Sequence, residues 1–375
     1  ASDVYKRQAN NLVNGKVDYA NCAFITETQA STLRKGFAKP GDVLLTHKAT
    51  IGRTAIVDDE YETIILTPQV TYYRVKKGIS NRYLKYYFDS SVFQKLFSNW
   101  AGAGSTRAYL GITAQRKLPI VLPPYDVQLK IAKCCGALDD KIYHNQQIND
   151  NLQRQLRTIF KAEFTDNSEL EKMTQIPLSE LCHVVTKGTT PTTLGKPFVE
   201  SGIIFIKAES ILADHSLDKS KFAFIDEETN ALLKRSVIHA GDIVFTIAGT
   251  LGRFALIDDN ALPANTNQAV AIIRADAEKV LPEYIYTCFI GEWHTDYYAK
   301  RVQQAVQANL SLTTIKSLPI PVLDKAKMDE YLRLILPLIK AIKGNEAQNE
   351  KLAALRDALL PKLMSGEIDV SAVQL

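Results

Sequence analysis

Residues 37–59 read FAKPGDVLLTHKATIGRTAIVDD, and residues 237–259 read VIHAGDIVFTIAGTLGRFALIDD. The two stretches align without a gap at an offset of 200, and 9 of their 23 positions are identical. The identities are Gly41/Gly241, Asp42/Asp242, Thr46/Thr246, Thr50/Thr250, Gly52/Gly252, Arg53/Arg253, Ala55/Ala255, Asp58/Asp258 and Asp59/Asp259. Six of the remaining 14 exchange one aliphatic side chain for another. The same offset relates Phe24-Ile25 to Phe224-Ile225, Leu118-Pro119 to Leu318-Pro319 and Asn145 to Asn345, with a slip that sets Gln69 against Gln268. A unit this long, repeated once, is a duplicated domain and not a short-period solenoid.

The copies are unequal. The second opens at Ile176-Pro177-Leu178-Ser179-Glu180-Leu181, and 64 residues separate Pro177 from Gly241, whereas 40 precede Gly41. The first copy is therefore expected to lack about two dozen opening residues, with Ala1 to about Gln8 foreign to it.

Composition sets wide bounds. The 375 residues are 46% hydrophobic and 23% charged, ordinary for two or three globular domains. A net charge of +4 permits a nucleic-acid partner without demanding one. Five cysteines, with no CxxC spacing and two of them adjacent, suit a reduced, cytoplasmic compartment. No apolar run approaches the ~18 residues of a membrane span, and the first residues carry no signal-peptide pattern.

Within each copy the Gly-Asp turn opens a short strand, Val43–Thr46 or Ile243–Thr246. Further runs follow at Thr54–Val57 and Phe254–Ile257, then at Val70–Val75 and Ala269–Ile273. Amphipathic helices are expected around Arg82–Leu96 and Pro282–Tyr298, and proline-bounded strands at Leu118–Leu122 and Leu318–Val322. This order gives an α+β domain. The expected organisation is a first domain over 1–126, a long helix over 127–165, a second domain over 174–325, a second long helix over 326–366 and a tail over 367–375.

Both long helices carry a heptad seam. The first runs through Ile131, Cys135, Leu138, Ile142, Asn145, Asn149, Leu152, Leu156 and Ile159. The second runs through Tyr331, Ile335, Leu338, Ile342, Asn345, Asn349, Leu352 and Leu359, interrupted by Arg356, with Pro337 expected to begin or kink its helix. A helix packed on its own domain would carry the same stripe. Recurrence of the seam in phase, asparagines included, favours the two helices packing on each other. Polar seam positions fix register at a cost in stability. An antiparallel pair would set Asn145 against Asn349 and Asn149 against Asn345.

Enzyme motifs fail. Leu122-Pro123-Pro124-Tyr125 has the shape of an amino-methyltransferase signature, but that chemistry needs an amide or carboxylate oxygen where Leu122 stands. The Gly-rich stretch at 102–106 lacks strand–GxGxxG–helix or P-loop context, and no metal-spaced histidines or GxSxG occur. The loops suit nucleic acid better. Small residues admit phosphates, Arg and Lys read guanine, and Asn and Gln read adenine. Arg53 and Arg253, being duplicated, serve equally well as scaffold paired to nearby aspartates. Reading is expected where the copies differ or where the loops are polar: Lys48, Thr50, Arg53, Gln69, Thr106 and Arg107 in the first copy, and Thr250, Arg253, Asn267, Gln268, Gln307 and Asn309 in the second. A solvated loop residue is the plain alternative for each.

The domain–helix duplication, the stretch from Leu138 to Asn149 with Ile159-Phe160-Lys161, the ending from Leu355 to Ile368, and the opening Leu178-Ser-Glu-Leu with Gly188-Thr-Thr-Pro191 together resemble the specificity subunit of type I restriction–modification systems. The resemblance spans nearly the whole chain. It implies two target-recognition domains separated by an antiparallel coiled-coil spacer of two long helices. Lys187, Thr189, Thr190 and Lys207 are further candidate contacts in the second copy. The resemblance also implies double-stranded DNA as ligand, each domain reading half of a bipartite, asymmetric site. Two modification subunits would carry S-adenosylmethionine, and motor–nuclease restriction subunits would use ATP and magnesium. The chain itself would have no cofactor and no catalytic residue. A stand-alone adenine methyltransferase and a non-DNA coiled-coil scaffold are the rival readings.

Overall fold

The computed structural model describes residues 4–7, 11–13, 15–19, 22–102, 108–165, 173–295, 297–298 and 309–374. The chain divides into unit 1, residues 1–143 with 350–375, and unit 2, residues 144–349. Two long helices, Tyr125–Phe164 and Lys325–Ser365, each contribute one part to either unit.

Unit 1 carries β1 (Val4–Arg7), a hairpin of β2 (Leu12–Val13) and β3 (Lys16–Val17), β4 (Ala23–Ile25), β5 (Phe37–Ala38), β6 (Val43–Lys48), β7 (Thr50–Ile56), β8 (Ile64–Leu66) and β9 (Val70–Tyr73). One sheet runs β4-β1-β8-β5, with β1 and β8 parallel; another runs β7-β6-β9, antiparallel. Unit 2 carries β10 (Thr174–Pro177), β11 (Cys182–Lys187), β12 (Ile203–Ile206), β13 (Ala223–Ile225), β14 (Ile243–Thr246), β15 (Phe254–Leu256), β16 (Ala264–Thr266), β17 (Val270–Ala275) and β18 (Pro319–Val322). Its sheets are β13-β12-β16, β11-β17-β14-β15 and the pair β10-β18. The offset of 200 maps β4, β6, β8 and β9 onto β13, β14, β16 and β17, and the parallel pair recurs as β12 beside β16.

Alternation along the strands builds two apolar layers in each unit. Ile243 and Phe245 face a core with Tyr284, Phe289, Leu156, Phe160, Ile335 and Ile342, while Val244 faces Ile206, Ala255 and Ile272. Val43 and Leu45 likewise face Tyr83, Phe88, Ile131 and Leu360, while Leu44 faces Ala55 and Ile64. Both sheets thus rest on the long helices through one face. Gly291 allows the close approach in unit 2, since a Cβ there would lie 2.0 Å from the Phe160 ring.

The Gly-Asp turn is built alike in both copies. Gly41 and Gly241 have φ of 85° and 83°, a conformation glycine adopts freely. Asp42 accepts the Lys39 N–H and Asp242 the His239 N–H, each at 2.8 Å. Neither aspartate pairs with Arg53 or Arg253. Each instead takes a two-pronged ion pair, Asp42 from Arg74 and Asp242 from Arg274, with closest distances of 2.7 Å.

Several expected elements differ. Leu118–Leu122 forms no strand: its counterpart β18 pairs with β10, and β10 has no equivalent at the offset of 200. The first amphipathic helix is two, Asn81–Asp89 and Ser91–Trp100, because Ser90 turns extended (ψ 142°) and caps the second. Its partner in unit 2 is shorter than expected, Pro282–Ile290. Pro337 does not begin the second long helix, which starts at Lys325, one helix preceding Pro337 by several turns. Gln69 and Gln268 are not equivalent, for His47 N–H bonds the Gln69 carbonyl just as Ile247 N–H bonds that of Ala269. The offset is therefore 200 here too.

The long helices run antiparallel within unit 2. Asn145 donates from Nδ2 to Asn349 Oδ1 at 2.8 Å and to Gln348 Oε1 at 2.7 Å, and Asn345 donates to Asn149 Oδ1 at 2.8 Å. Asn149 also donates to the Ile342 carbonyl at 3.3 Å. Ile342 is buried; Leu152 and Leu338 are half-buried beside the core, where Ile339 is the more deeply placed. In unit 1, Leu138, Ile142 and Leu352 are half-buried. Arg356 there pairs with Asp139 at 2.7 Å, and Lys85 and Tyr86 reach the same carboxylate. Burial opposes the charge on Asp139, but Lys85 and Arg356 hold its carboxyl below the usual range.

Candidate nucleic-acid interface

The strands of unit 2 bring their loops to one end of the sheet. Lys187 pairs with Ala271, Thr246 with Val270 and Phe245 with Phe254, so the end of β11, the start of β17 and the β14–β15 loop lie together. Ile206 pairs with Thr266, bringing Lys207 alongside, and Leu310 N–H bonds the Ile247 carbonyl at 2.9 Å, bringing in Asn309. Lys187, Thr189, Thr190, Lys207, Thr250, Arg253, Asn267, Gln268 and Asn309 therefore share one end of the unit. Gln307 lies outside the described residues.

Their surroundings sort them. Lys187, Thr250, Gln268 and Asn309 are exposed. Thr190 donates its hydroxyl to Gln268 Oε1, and Gly188 packs so closely on Thr266 that any Cβ would strike its carbonyl. Asn267 caps its own turn by accepting the Ala269 N–H at 3.1 Å. Lys207 is paired with Glu209 at 2.6 Å. Arg253 is half-buried and donates to the Ile211 carbonyl at 3.2 Å, a scaffold contact. The Thr46/Thr246 identity has a similar cause: each hydroxyl accepts the backbone N–H of Arg53 or Arg253 at 2.9 Å.

Unit 1 assembles the equivalent end differently. His47–Arg53 is not a loop between two strands: β6 and β7 extend to Lys48 and Thr50, and Ala49, at φ 66°, makes the turn. In unit 2, Gly249 and Gly252 both take positive φ and the loop stays open. Lys48, Thr50 and Arg53 are exposed on the hairpin, and Gln69 is half-buried at the next turn. Thr106 and Arg107 lie outside the described residues. Two more residues stand here: Tyr109 closes the stretch 105–109, which differs from its counterpart 305–309, and His47 lies in the repeated stretch 37–59. His47 is buried and donates from Nδ1 to the Leu110 carbonyl, 3.1 Å away, and burial lowers its pKa. Tyr109 stands over it, ring to ring at 5.7 Å.

Leu122-Pro-Pro-Tyr125 leads into the first long helix. Gln128 donates its side-chain amide to the Pro123 carbonyl at 2.8 Å, so the motif is a helix entry and not a pocket wall. No disulfide joins any of the five cysteines. No described helix is long and apolar enough to cross a membrane.

A family model for the type I restriction modification DNA specificity domain matches residues 3–154 and again residues 171–352. The chain belongs to this family. It is a specificity subunit with two DNA recognition domains in tandem, one match falling on each copy. It is similar to the type I restriction enzyme MjaIX specificity subunit of Methanocaldococcus jannaschii, with 24% identity over 92% of this chain and 82% of that one. It is also similar to the HindI specificity subunit of Haemophilus influenzae, with 23% identity over 67% of this chain and 69% of that one. Among solved structures, the type I S subunit from M. genitalium aligns over 87% of this chain and 83% of that one, with 14% identity and a TM-score of 0.48.

Proposed function

We propose that each unit reads one half of a bipartite, asymmetric site in double-stranded DNA. The carrying observation is the loop cluster: the same backbone bonds bring loops to one sheet end in both units, while the side chains they present differ. A shared frame with different contacts suits one subunit that joins two specificities. The two long helices set the gap between half-sites and dock two modification subunits. Methylation with S-adenosylmethionine, and ATP- and magnesium-dependent cleavage, belong to modification and restriction subunits, and this chain contributes no catalytic group. The complex works on DNA in the cytoplasm.

The deciding experiment is methylome sequencing of a host expressing this chain with a modification subunit. A split, asymmetric methylated motif is expected. Its absence, with binding of labelled S-adenosylmethionine by this chain alone, would favour a methyltransferase instead. Absence of salt-dependent DNA binding even with the partner present would favour a scaffold.

A further inference from the structure

Position 109 and position 309 are held in the same way and carry different side chains. In unit 1, Leu110 is buried and its N–H bonds the His47 carbonyl at 3.0 Å; in unit 2, Leu310 is buried and its N–H bonds the Ile247 carbonyl at 2.9 Å. The residue just before each buried leucine is exposed: Tyr109 at 53%, and Asn309. Backbone bonds therefore set the position of both residues. Tyr109 is further steadied. Its N–H bonds the Ala101 carbonyl at 3.2 Å, its backbone bridges Lys48, and its ring lies over Gly111, where a Cβ would come within 3.3 Å of the phenol oxygen. His47 sits beneath the ring and is tied to Leu110. An aromatic ring braced from below and open above, beside the exposed Lys48 at a hairpin tip, is suited to a base, with the ammonium on a phosphate. A two-stranded ribbon is also narrow enough for the major groove.

We propose that 109 and 309 are equivalent base-reading positions. Tyr109 contacts a base of the half-site read by unit 1 through its ring, and Asn309 hydrogen-bonds an adenine edge in the half-site read by unit 2. His47 is a positioning residue for Tyr109. This rests on the proposal that the two units read two half-sites.

The test is methylome sequencing with the full chain and its modification subunit, comparing wild type with Tyr109→Ala and Asn309→Ala. Each variant is expected to relax one base pair in one half of the motif, by roughly tenfold in discrimination, and to leave the other half intact. Tyr109→Phe, which keeps the ring, should keep the motif. Should Tyr109→Ala fail to fold, Tyr109→Asn places the side chain of the other unit on the same backbone, and a changed base preference is expected. Unchanged motifs in these variants overturn the proposal. So does weakening that is uniform across sequences with a smaller salt slope, which marks a phosphate contact. A wild-type chain that yields no split motif defeats the half-site reading itself, a result distinct from either.

Discussion

Asp42 and Asp242 occupy the same turn, but their arginines differ in exposure: the Arg74 side chain is 50% exposed and Arg274 25%. Removing a partner from a buried carboxylate costs about 3 kcal/mol, and less where water reaches the site. Arg274→Ala should therefore destabilise unit 2 by about 3 kcal/mol, and Arg74→Ala should cost unit 1 roughly half as much. The two tryptophans, Trp100 in unit 1 and Trp293 in unit 2, let denaturant unfolding be followed separately for each. Equal losses would contradict the exposure argument. Unit 2 also buries two imidazoles, His215 and His294, whose Nδ1 atoms have no partner among the described residues. Burial pushes both down to about 4, aided by Arg157 for His215 and by His215 for His294. Between 6.5 and about 4 the unfolded chain binds protons that the folded chain refuses, so stability falls as pH falls through that window. The loss is on the order of 3 kcal/mol for each group. His294→Phe should remove about half of the pH dependence reported by Trp293, and an unaltered slope would refute the assignment. At this scale the sequence shows repeated identities but not their reasons. Gly41 and Asp42 are legible as a turn; Arg74 and Arg274, 32 residues downstream, are found only once β9 and β17 lie beside β6 and β14.

The seam of the long helices was readable because a heptad is a local pattern with a long-range meaning. Its phase places Asn145 opposite Asn349 and Asn149 opposite Asn345, and the hydrogen bonds join those residues. Asn145→Leu alone leaves Asn349 and Gln348 facing an apolar side chain, at a cost of about 1–3 kcal/mol. Pairing it with Asn349→Leu should restore thermal stability while loosening register. A double variant no more stable than the single one would show that the pair contributes no coupled interaction. The interruption at Arg356 was visible but unexplained, since Asp139, Lys85 and Tyr86 come from two helices that a seam pattern does not relate. Elements that depend on a distant partner were the ones misjudged. Leu118–Leu122 has the composition of a strand, yet a strand is defined by its neighbour, and β18 has β10 where this stretch has none among the described residues.

At the scale of the molecule, the division into units falls within both long helices, between Tyr143 and His144 and between Asn349 and Glu350. Whole helical turns inserted at both places preserve the phase of each seam. If the helices set the gap, such a variant should methylate a motif with altered spacing and unaltered half-sites; identical spacing would remove the helices from that role. The duplication and the helix–domain order were legible along the whole chain, because repeated spacing survives where individual residues change. The candidate end was legible only in part: the nine described candidates of unit 2 converge, whereas His47 on β6 and Tyr109 beside it in unit 1 meet through pairings that no local pattern announces.

The asparagine bonds of unit 2 have one more property. By the offset of 200, Asn145 is the counterpart of Asn345 and Asn149 of Asn349. The bond from Asn145 to Asn349 and the bond between Asn149 and Asn345 are therefore one contact written twice, with the copies exchanged. That reciprocity is the mark of an isologous interface, in which one surface recognises itself. Asp139 with Arg356 follows the same exchange onto Ile339 and Leu156, both in the apolar core of unit 2. The contacts are those of like surfaces related by exchange of the copies, greasy at Leu156 and Ile339 and charged at Asp139 and Arg356.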